Sequence, residues 1–141
     1  MKKFKSHLPA TVLLIVITMG SLICSGCQKK NAEEKIESVD YTVCKESELP
    51  DNLVEIINEK KNEEFEITYT QDEYTYLVKG YGKQKSGGYN ITVDDVYYTS
   101  SKVCLATTLV GPAENELVLN AATYPYITVK VEALDKEGSF E

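Results

Sequence analysis

The chain has 141 residues, which is enough for one domain with a hydrophobic core. Its 15 basic residues are all lysine against 22 acidic residues, and such a chain is a poor nucleic-acid binder because neutralising phosphates needs a basic face. The only histidine is His7, so the chain beyond residue 26 lacks the residue needed for Ser-His-Asp catalysis, Cys-His catalysis or a histidine-containing zinc site. We therefore expect a binding protein with no catalytic residues and no cofactor.

Residues 1–26 have the three parts of a secretory signal. Met1–Lys5 is basic, Leu8–Ile23 is largely apolar, and small residues follow before Cys27. A membrane-spanning helix is the alternative, but the apolar run is shorter than the ~20 residues that a bilayer requires. We therefore predict that residues 1–26 are a signal peptide.

The sequence Ser25-Gly26-Cys27 resembles the lipobox of bacterial lipoproteins, although Cys24 stands where that family usually has leucine. The resemblance implies cleavage before Cys27 and a diacylglycerol on its sulfur, and two acyl chains suffice for stable attachment. Residues 27–38 are polar and charged, which is typical of a tether. The implied location is the extracytoplasmic face of a bacterial cell membrane.

Two cysteines, Cys44 and Cys104, remain in the part of the chain that is predicted to be exported. Disulfides persist outside the cytoplasm, so an even pair is consistent with a Cys44–Cys104 bridge. Two buried free thiols are the alternative, because cysteine is often buried without a partner. The sequence leaves both alternatives open.

The first elements of the exported part follow from side-chain periodicity. Residues 36–44 alternate weakly between apolar and polar side chains, which predicts a strand. Pro50 suits the first turn of a helix, and the apolar residues after it recur at helical spacing. We therefore predict one helix at about 50–61.

From residue 63 onward the apolar period changes to two, the spacing of half-buried strands. The strand that starts at Tyr89 has an irregularity at Asp94–Asp95, and Glu116–Ala122 fits either a strand or a short helix. We expect residues 133–141 to form a loose tail. The predicted strands are 63–69, 74–80, 89–98, 103–109 and 127–131, with a hairpin connection at Thr99–Lys102.

These elements predict a mainly β (α+β) domain over residues 39–132. Short connections between the strands favour a small antiparallel sheet or sandwich, with the helix covering an open face or end. The acidic pairs Asp94–Asp95 and Glu114/Glu116 lack the spacing of a calcium loop, so we predict no metal site.

Three loops carry residues that we single out as candidates for contact with a partner. Two adjacent glycines in the first loop permit close approach of another backbone, although a plain hairpin turn is the alternative. In the last loop two tyrosines flank a proline, which indicates either a contact surface or a kinked strand entry with one tyrosine in the core. The candidates are Ser86, Gly87, Gly88, Tyr89, Gly111, Pro112, Tyr124, Pro125 and Tyr126.

Residues 74–131 resemble the C-terminal domain of the protease complex subunit PrcB family. The motifs that carry the resemblance stand in a fixed order and comprise Tyr74 and Tyr76 before Gly80–Gly82, then Gly87–Ile91, Gly111-Pro112 and Thr123–Lys130. The resemblance implies a non-catalytic surface lipoprotein that associates with a secreted subtilisin-like serine protease.

Three functions remain open at this point. An accessory subunit would bind an exported protein, as the resemblance implies, through the three candidate loops gathered at one end of the sheet. A protease inhibitor would place the glycine-rich loop in an active-site cleft. A small-ligand or cell-wall binding lipoprotein would need a concave apolar pocket, which a sequence does not reveal.

Overall fold

The computed structural model describes residues 33–132 and 136–141. The predicted signal peptide, Cys27 and the first part of the predicted tether lie outside these residues. In the part that is described, no helix has the length and hydropathy needed to cross a membrane. The elements are β1 (Glu37–Ser38), β2 (Thr42–Val43), a 3₁₀ turn (Glu46–Glu48), α1 (Asp51–Lys60), β3 (Glu64–Gln71), β4 (Tyr74–Tyr81), β5 (Asn90–Tyr98), β6 (Lys102–Val110), β7 (Tyr126–Glu132) and β8 (Glu137–Phe140).

Helix α1 covers one face of a four-stranded antiparallel sheet with the strand order β2-β7-β4-β3, which we call the helix-side sheet. Pro50 occupies the N-cap position, where its missing N–H is not needed. The buried stripe of the helix, Leu53 and Ile57, packs against Tyr76 and Val78 of β4. The predicted helix is confirmed, with bounds one residue inside those expected at each end.

Strand β4 is buried on both faces, because side chains alternate along a strand and each face of β4 meets a different layer. Tyr76 and Val78 face the helix, whereas Leu77 faces the second sheet. That sheet, the far sheet, has the order β1-β5-β6-β8. Leu105 of β6 and Val129 of β7 belong with Leu77 to the core between the sheets. The structure is thus a β-sandwich with a helix on one side, and the predicted fold class is confirmed.

The β5–β6 hairpin also confirms two local predictions. The register of β5 against β6 shifts between Val93 and Asp95, which leaves Asp94 as the extra residue of a bulge. The connection after β5 closes with a hydrogen bond from Thr99 N to Lys102 O at 2.9 Å.

The predicted first strand, residues 36–44, is wrong as one element. β1 pairs with β5 in the far sheet, whereas β2 pairs with β7 in the helix-side sheet. The chain crosses from one sheet to the other between them, so its weak alternation reflects two environments. The predicted tether, residues 27–38, likewise ends too late, because residues 37–38 are already strand β1.

The loose tail predicted at 133–141 is also wrong for its last part. Strand β8 pairs in parallel with β6, from Lys102↔Glu137 to Leu105↔Phe140. Gly138 fits there because the backbone lies close to the opposite sheet, where an added Cβ would overlap Thr68 Oγ1. The strand therefore depends on a close approach that the local sequence does not show.

Both cysteines of the described part are free, so the disulfide alternative for Cys44 and Cys104 is wrong in this structure. Cys44 packs against the helix-side cluster. Cys104 lies on β6 between two residues of the inter-sheet core, Val103 and Leu105, so its side chain is on the outer face of the far sheet. The two sheets therefore lie between the two sulfurs. Burial of Cys44 raises the pKa of its thiol.

Candidate functional site

Two long connections meet at one end of the sandwich. Residues 82–89 join β4 to β5, and residues 111–125 join β6 to β7, so each connection passes from one sheet to the other. The hairpin-turn alternative for Ser86–Tyr89 is therefore wrong, because β4 and β5 belong to different sheets. We call residues 82–89 and 111–125 together the loop end. The opposite end, which contains the turn at residues 99–101, is the turn end, and the nine residues of β5 separate the two by about 30 Å.

Gly88 allows the two connections to pack closely, because it has no side chain. It has φ +84, a left-handed conformation that favours glycine, and a Cβ there would stand 2.5 Å from Val118 Cγ1 and 3.0 Å from Pro112 Cβ. Gly111 lies in the same contact, since its Cβ position is 3.4 Å from Tyr89 Cε1. Two of the three predicted contact loops, Ser86–Tyr89 and Gly111-Pro112, are therefore packed together.

Backbone hydrogen bonds fix the two connections to each other. Gln84 and Thr123 form a two-bond bridge, with N···O distances of 2.8 and 3.2 Å. The Thr123 hydroxyl donates to Ser86 O at 2.7 Å, and Gly87 N donates to Leu119 O at 2.8 Å. These hydrogen bonds hold the two connections of the loop end together.

The third predicted loop, Tyr124–Tyr126, contacts the helix-side sheet and the residues that flank helix α1. Pro125 O accepts a hydrogen bond from Tyr81 N at 3.0 Å, and Lys61 Nζ lies 5.6 Å from the Tyr124 ring centre. Tyr126 packs against the helix-side cluster, and its hydroxyl donates to Glu46 Oε2 at 2.8 Å. Burial, together with that hydrogen bond, raises the pKa of Tyr126 to about 12. The structure thus directs Tyr126 towards the helix layer, away from the other candidates.

The most exposed apolar side chains of the loop end are residues that the sequence analysis did not select. Leu117 is 101% exposed and Leu119 is 73% exposed, whereas Val118 between them is half-buried. Their segment, Glu116–Ala122, is neither the strand nor the helix expected of it. The alternation of leucine and valine was a usable signal, but it does not say which side faces solvent.

The turn end holds a polar cluster around the first described residue, Glu33. Its carboxylate accepts hydrogen bonds from the Thr99 hydroxyl and from both the backbone N and the hydroxyl of Ser101. These bonds lower the pKa of Glu33 to about 2. Lys136 Nζ donates to the carbonyl oxygens of Thr99 and Ser100 at 3.0 and 2.9 Å. The chain therefore enters the domain at the end opposite the loops.

Between these ends, Lys79 is the buried charge of the helix-side sheet. Its ammonium donates to Glu64 Oε1 and Glu66 Oε1, both at 2.8 Å, on the neighbouring strand β3. Burial by itself lowers the pKa of Lys79, but the two hydrogen bonds outweigh it and the pKa is raised. The cluster explains how a lysine is kept inside the sheet.

Open clefts on the surface are lined mostly by polar and acidic side chains. Each of four such clefts has at least two carboxylates in its wall, as in the cleft between Asp72, Glu73 and Glu132. Over residues 33–132 and 136–141, no group of three histidine, cysteine or acidic side chains is close enough to hold a metal ion.

The comparison with protein-family models agrees with the resemblance found in the sequence. The family model described as PrcB C-terminal matches residues 75–132, which run from β4 to the end of β7 and include both connections of the loop end. No curated protein and no solved structure matches the chain.

Proposed function

We propose that this chain, which carries a PrcB C-terminal domain at residues 75–132, is a membrane-anchored accessory subunit of an extracytoplasmic protease complex. The subunit binds a secreted subtilisin-like serine protease through the loop end and does no catalysis itself. Its lipid anchor is on Cys27, at the extracytoplasmic face of the bacterial membrane.

The observation that carries the proposal is the gathering of separate motifs on one surface. The glycine-tyrosine motif at Gly88-Tyr89 and the Gly111-Pro112 motif are more than 20 residues apart in the chain, yet Gly88 and Gly111 are both within contact distance of the other connection. Leu117 and Leu119 project from the same surface. Exposed apolar side chains on a braced surface are typical of protein-binding sites.

The position of Glu33 shows at which end of the domain the chain that follows the proposed anchor enters. The chain enters the domain at the turn end, and five residues separate Glu33 from Cys27, which spans at most about 20 Å. The described chain therefore begins at the end of the domain that lacks the loops. Cys27→Ser should move the chain from the membrane fraction to the soluble fraction, and unchanged membrane association would contradict the anchor.

The partner is tested by affinity purification of the full-length chain from mild-detergent membranes, with bound proteins identified by mass spectrometry. We compare the native chain with Gly88→Trp, which changes the loop end, and with Ser100→Trp, which adds the same side chain in the exposed turn at the other end. Because a side chain at Gly88 would overlap Val118 and lower the stability, recovery is compared only under conditions in which circular dichroism shows both variants folded.

We expect a serine peptidase with the native chain and with Ser100→Trp, and at least tenfold less with Gly88→Trp. Equal recovery with Gly88→Trp, or loss with Ser100→Trp alone, would contradict the assignment of the loop end. Recovery of no peptidase by the native chain would overturn the proposed function itself.

A further inference from the structure

Strand β3 is the longest of the strands that lie at a sheet edge. In the described part of the chain it pairs with β4 on one side and with no strand on the other. The other edge strands, β1, β2 and β8, have two, two and four residues, whereas β3 has eight. Natural sheets keep exposed edges short or interrupted, because a long regular edge can pair with another molecule.

The edge of β3 is not protected against such pairing by proline, lysine or a bulge. Its sequence is EFEITYTQ, and its register against β4 is continuous over all eight residues. Its two acidic residues, Glu64 and Glu66, both accept a hydrogen bond from Lys79 of β4, which offsets part of their charge. By contrast, the part of β5 that extends beyond β1 is interrupted by the bulge at Asp94. β3 is therefore the edge to which a further strand can be added.

The backbone groups on the outer side of β3 belong to its even-numbered residues. Tyr81 N donates to Pro125 O, so the odd-numbered residues of β4 direct their backbone groups towards β7 and the even-numbered residues towards β3. Phe65 is opposite Gly80, so it is the odd-numbered residues of β3 that bond to β4. Among residues 33–132 and 136–141, nothing bonds to the outward N–H and C=O groups of the even-numbered residues. These four exposed residues are Glu64, Glu66, Thr68 and Thr70.

One antiparallel arrangement of two β3 strands bonds these groups and keeps like charges apart. With a two-fold axis at Ile67, Glu64 lies opposite Thr70 of a second copy. In the same register Glu66 lies opposite Thr68 of that copy. An axis at Glu66 would instead place the two copies of this carboxylate opposite each other, which is destabilising. An axis one residue beyond Ile67 would place Glu64 opposite an aspartate of the β3–β4 turn. The charges of β3 therefore favour the register centred on Ile67.

The helix side of β3 fits the same register. Phe65, Ile67 and Tyr69 lie on that side, and the last two are only half-buried. Across the axis, Phe65 lies opposite Tyr69 and Ile67 lies opposite its own equivalent. Aromatic and β-branched cross-strand pairs of this kind stabilise a sheet. Pairing would also bury part of the apolar surface that the single domain leaves exposed.

We propose that two copies of this chain pair edge to edge through β3, antiparallel about a two-fold axis at Ile67. The two helix-side sheets, with four strands each, then form one continuous sheet. Gly82 of the loop end lies beside Glu63, just before β3, and the paired strands run in opposite directions. The two loop ends therefore lie at opposite corners of the pair, and each remains open to a partner. The inference goes beyond the proposed function and does not depend on it.

A cysteine on the two-fold axis tests the pairing in membranes that contain the full-length chain. In Ile67→Cys the two Cα atoms would be about 4.5 Å apart, a distance that a disulfide bridges after mild oxidation. In the matched control Tyr69→Cys, on the same face of β3, they would be about 13 Å apart, which is too far. Both variants carry Cys44→Ser, because Cys44 packs in the same cluster. The Cys44→Ser chain alone gives the background in non-reducing electrophoresis.

A proline on the outer side of β3 distinguishes strand pairing from other kinds of contact. Thr68→Pro removes an N–H that points away from β4, so the hydrogen bonds between β3 and β4 remain. Thr68→Val keeps that N–H and is the matched control. Sedimentation equilibrium in density-matched mild detergent measures the mass of the native chain and of both variants. The masses are compared under conditions in which circular dichroism shows all three chains folded.

We expect Ile67→Cys to give at least about tenfold more covalent dimer than Tyr69→Cys. The native chain and Thr68→Val should have the mass of a dimer, and Thr68→Pro the mass of a monomer. Equal cross-linking at the two positions, a monomeric native chain or a dimeric Thr68→Pro chain would each overturn the inference.

Recovery of a peptidase by the same chains keeps the two proposals separate. Thr68→Pro should recover as much peptidase as the native chain, because the loop end is unchanged. A monomeric native chain that recovers a peptidase would overturn this inference and leave the proposed function standing. A dimeric native chain that recovers none would support this inference and overturn the proposed function.

Discussion

The two ends of the sandwich are built from different kinds of contact, although both consist of connections between strands. At the turn end the β5–β6 connection is short, and polar side chains hold it: Glu33 accepts three hydrogen bonds, and Lys136 donates two. At the loop end the connections have eight and fifteen residues and cross between the sheets. They are held by glycine contacts and by backbone hydrogen bonds.

The difference explains how one small domain can be attached at one end and bind at the other. Polar side chains at the turn end are consumed in fixing the incoming chain to the β5–β6 turn. Backbone groups do most of the corresponding work at the loop end, and the side chains of Leu117 and Leu119 remain largely exposed to solvent. Side chains that the fold does not use are available to a partner.

The largest effect is expected from Gly88→Val, which would break the contact between the two connections. A β-branched residue is strained at φ +84, and its Cβ would overlap Val118. Strain and overpacking together should lower the free energy of unfolding by about 2–4 kcal/mol, as measured by urea denaturation followed by circular dichroism.

The neighbouring glycine provides the control for that experiment. The nearest atom to a Cβ at Gly87 is 3.6 Å away, an ordinary contact, so Gly87→Ala should change the free energy of unfolding by less than about 1 kcal/mol. Similar values for the two variants would show that the connections do not depend on close packing at Gly88.

The pKa of Glu33 tests whether polar side chains hold the turn end together. Its pKa of about 2 in the folded chain is below the usual 4.5, because the Thr99 and Ser101 hydroxyls bind the carboxylate. Stabilisation by this group is therefore present above about pH 4.5 and is lost as the pH falls towards 2. The stability difference between native chain and Glu33→Gln should disappear over that range.

Nuclear magnetic resonance of the side-chain carboxyl measures the midpoint directly. In a Thr99→Val, Ser101→Ala double variant, the midpoint should move up towards 4.5, since two donors to the carboxylate are removed. A native midpoint already near the usual value would mean that the chain entry is not fixed at the turn end.

Most of the fold was predictable because the relevant signals are local. Side-chain alternation along β3 to β7 and helical spacing after Pro50 show which face of each element is buried. These patterns can be read from residues that are close to one another in the sequence. The position of β8 was not predictable from its sequence, since Glu137–Phe140 has no alternation and each of its residues pairs with a residue 35 positions earlier. Likewise, residues 36–44 look like one strand until the two sheets that they join are known.

The candidate site was predictable in part for a similar reason. Adjacent glycines at Gly87-Gly88 mark a backbone that another segment can approach, and that segment proved to be the connection containing Val118. Leu117 and Leu119 were missed because alternation gives two faces without saying which is buried. Only the position of Gly88 behind Val118 decides that the leucines face outward.

The smallest expected effect, from Tyr126→Phe, tests whether Tyr126 belongs to the helix layer or to the loop end. The variant loses the hydrogen bond to Glu46 but keeps the packed ring, so the free energy of unfolding should fall by about 0.5–1 kcal/mol. The pKa of Tyr126 is raised to about 12 in the folded chain, so the native chain should lose stability as the pH rises from 10 towards 12. The variant lacks this contribution to the alkaline loss, and recovery of the partner should not change. Unchanged stability with loss of the partner would instead place the Tyr126 hydroxyl on the binding surface and extend that surface from the loops to the helix.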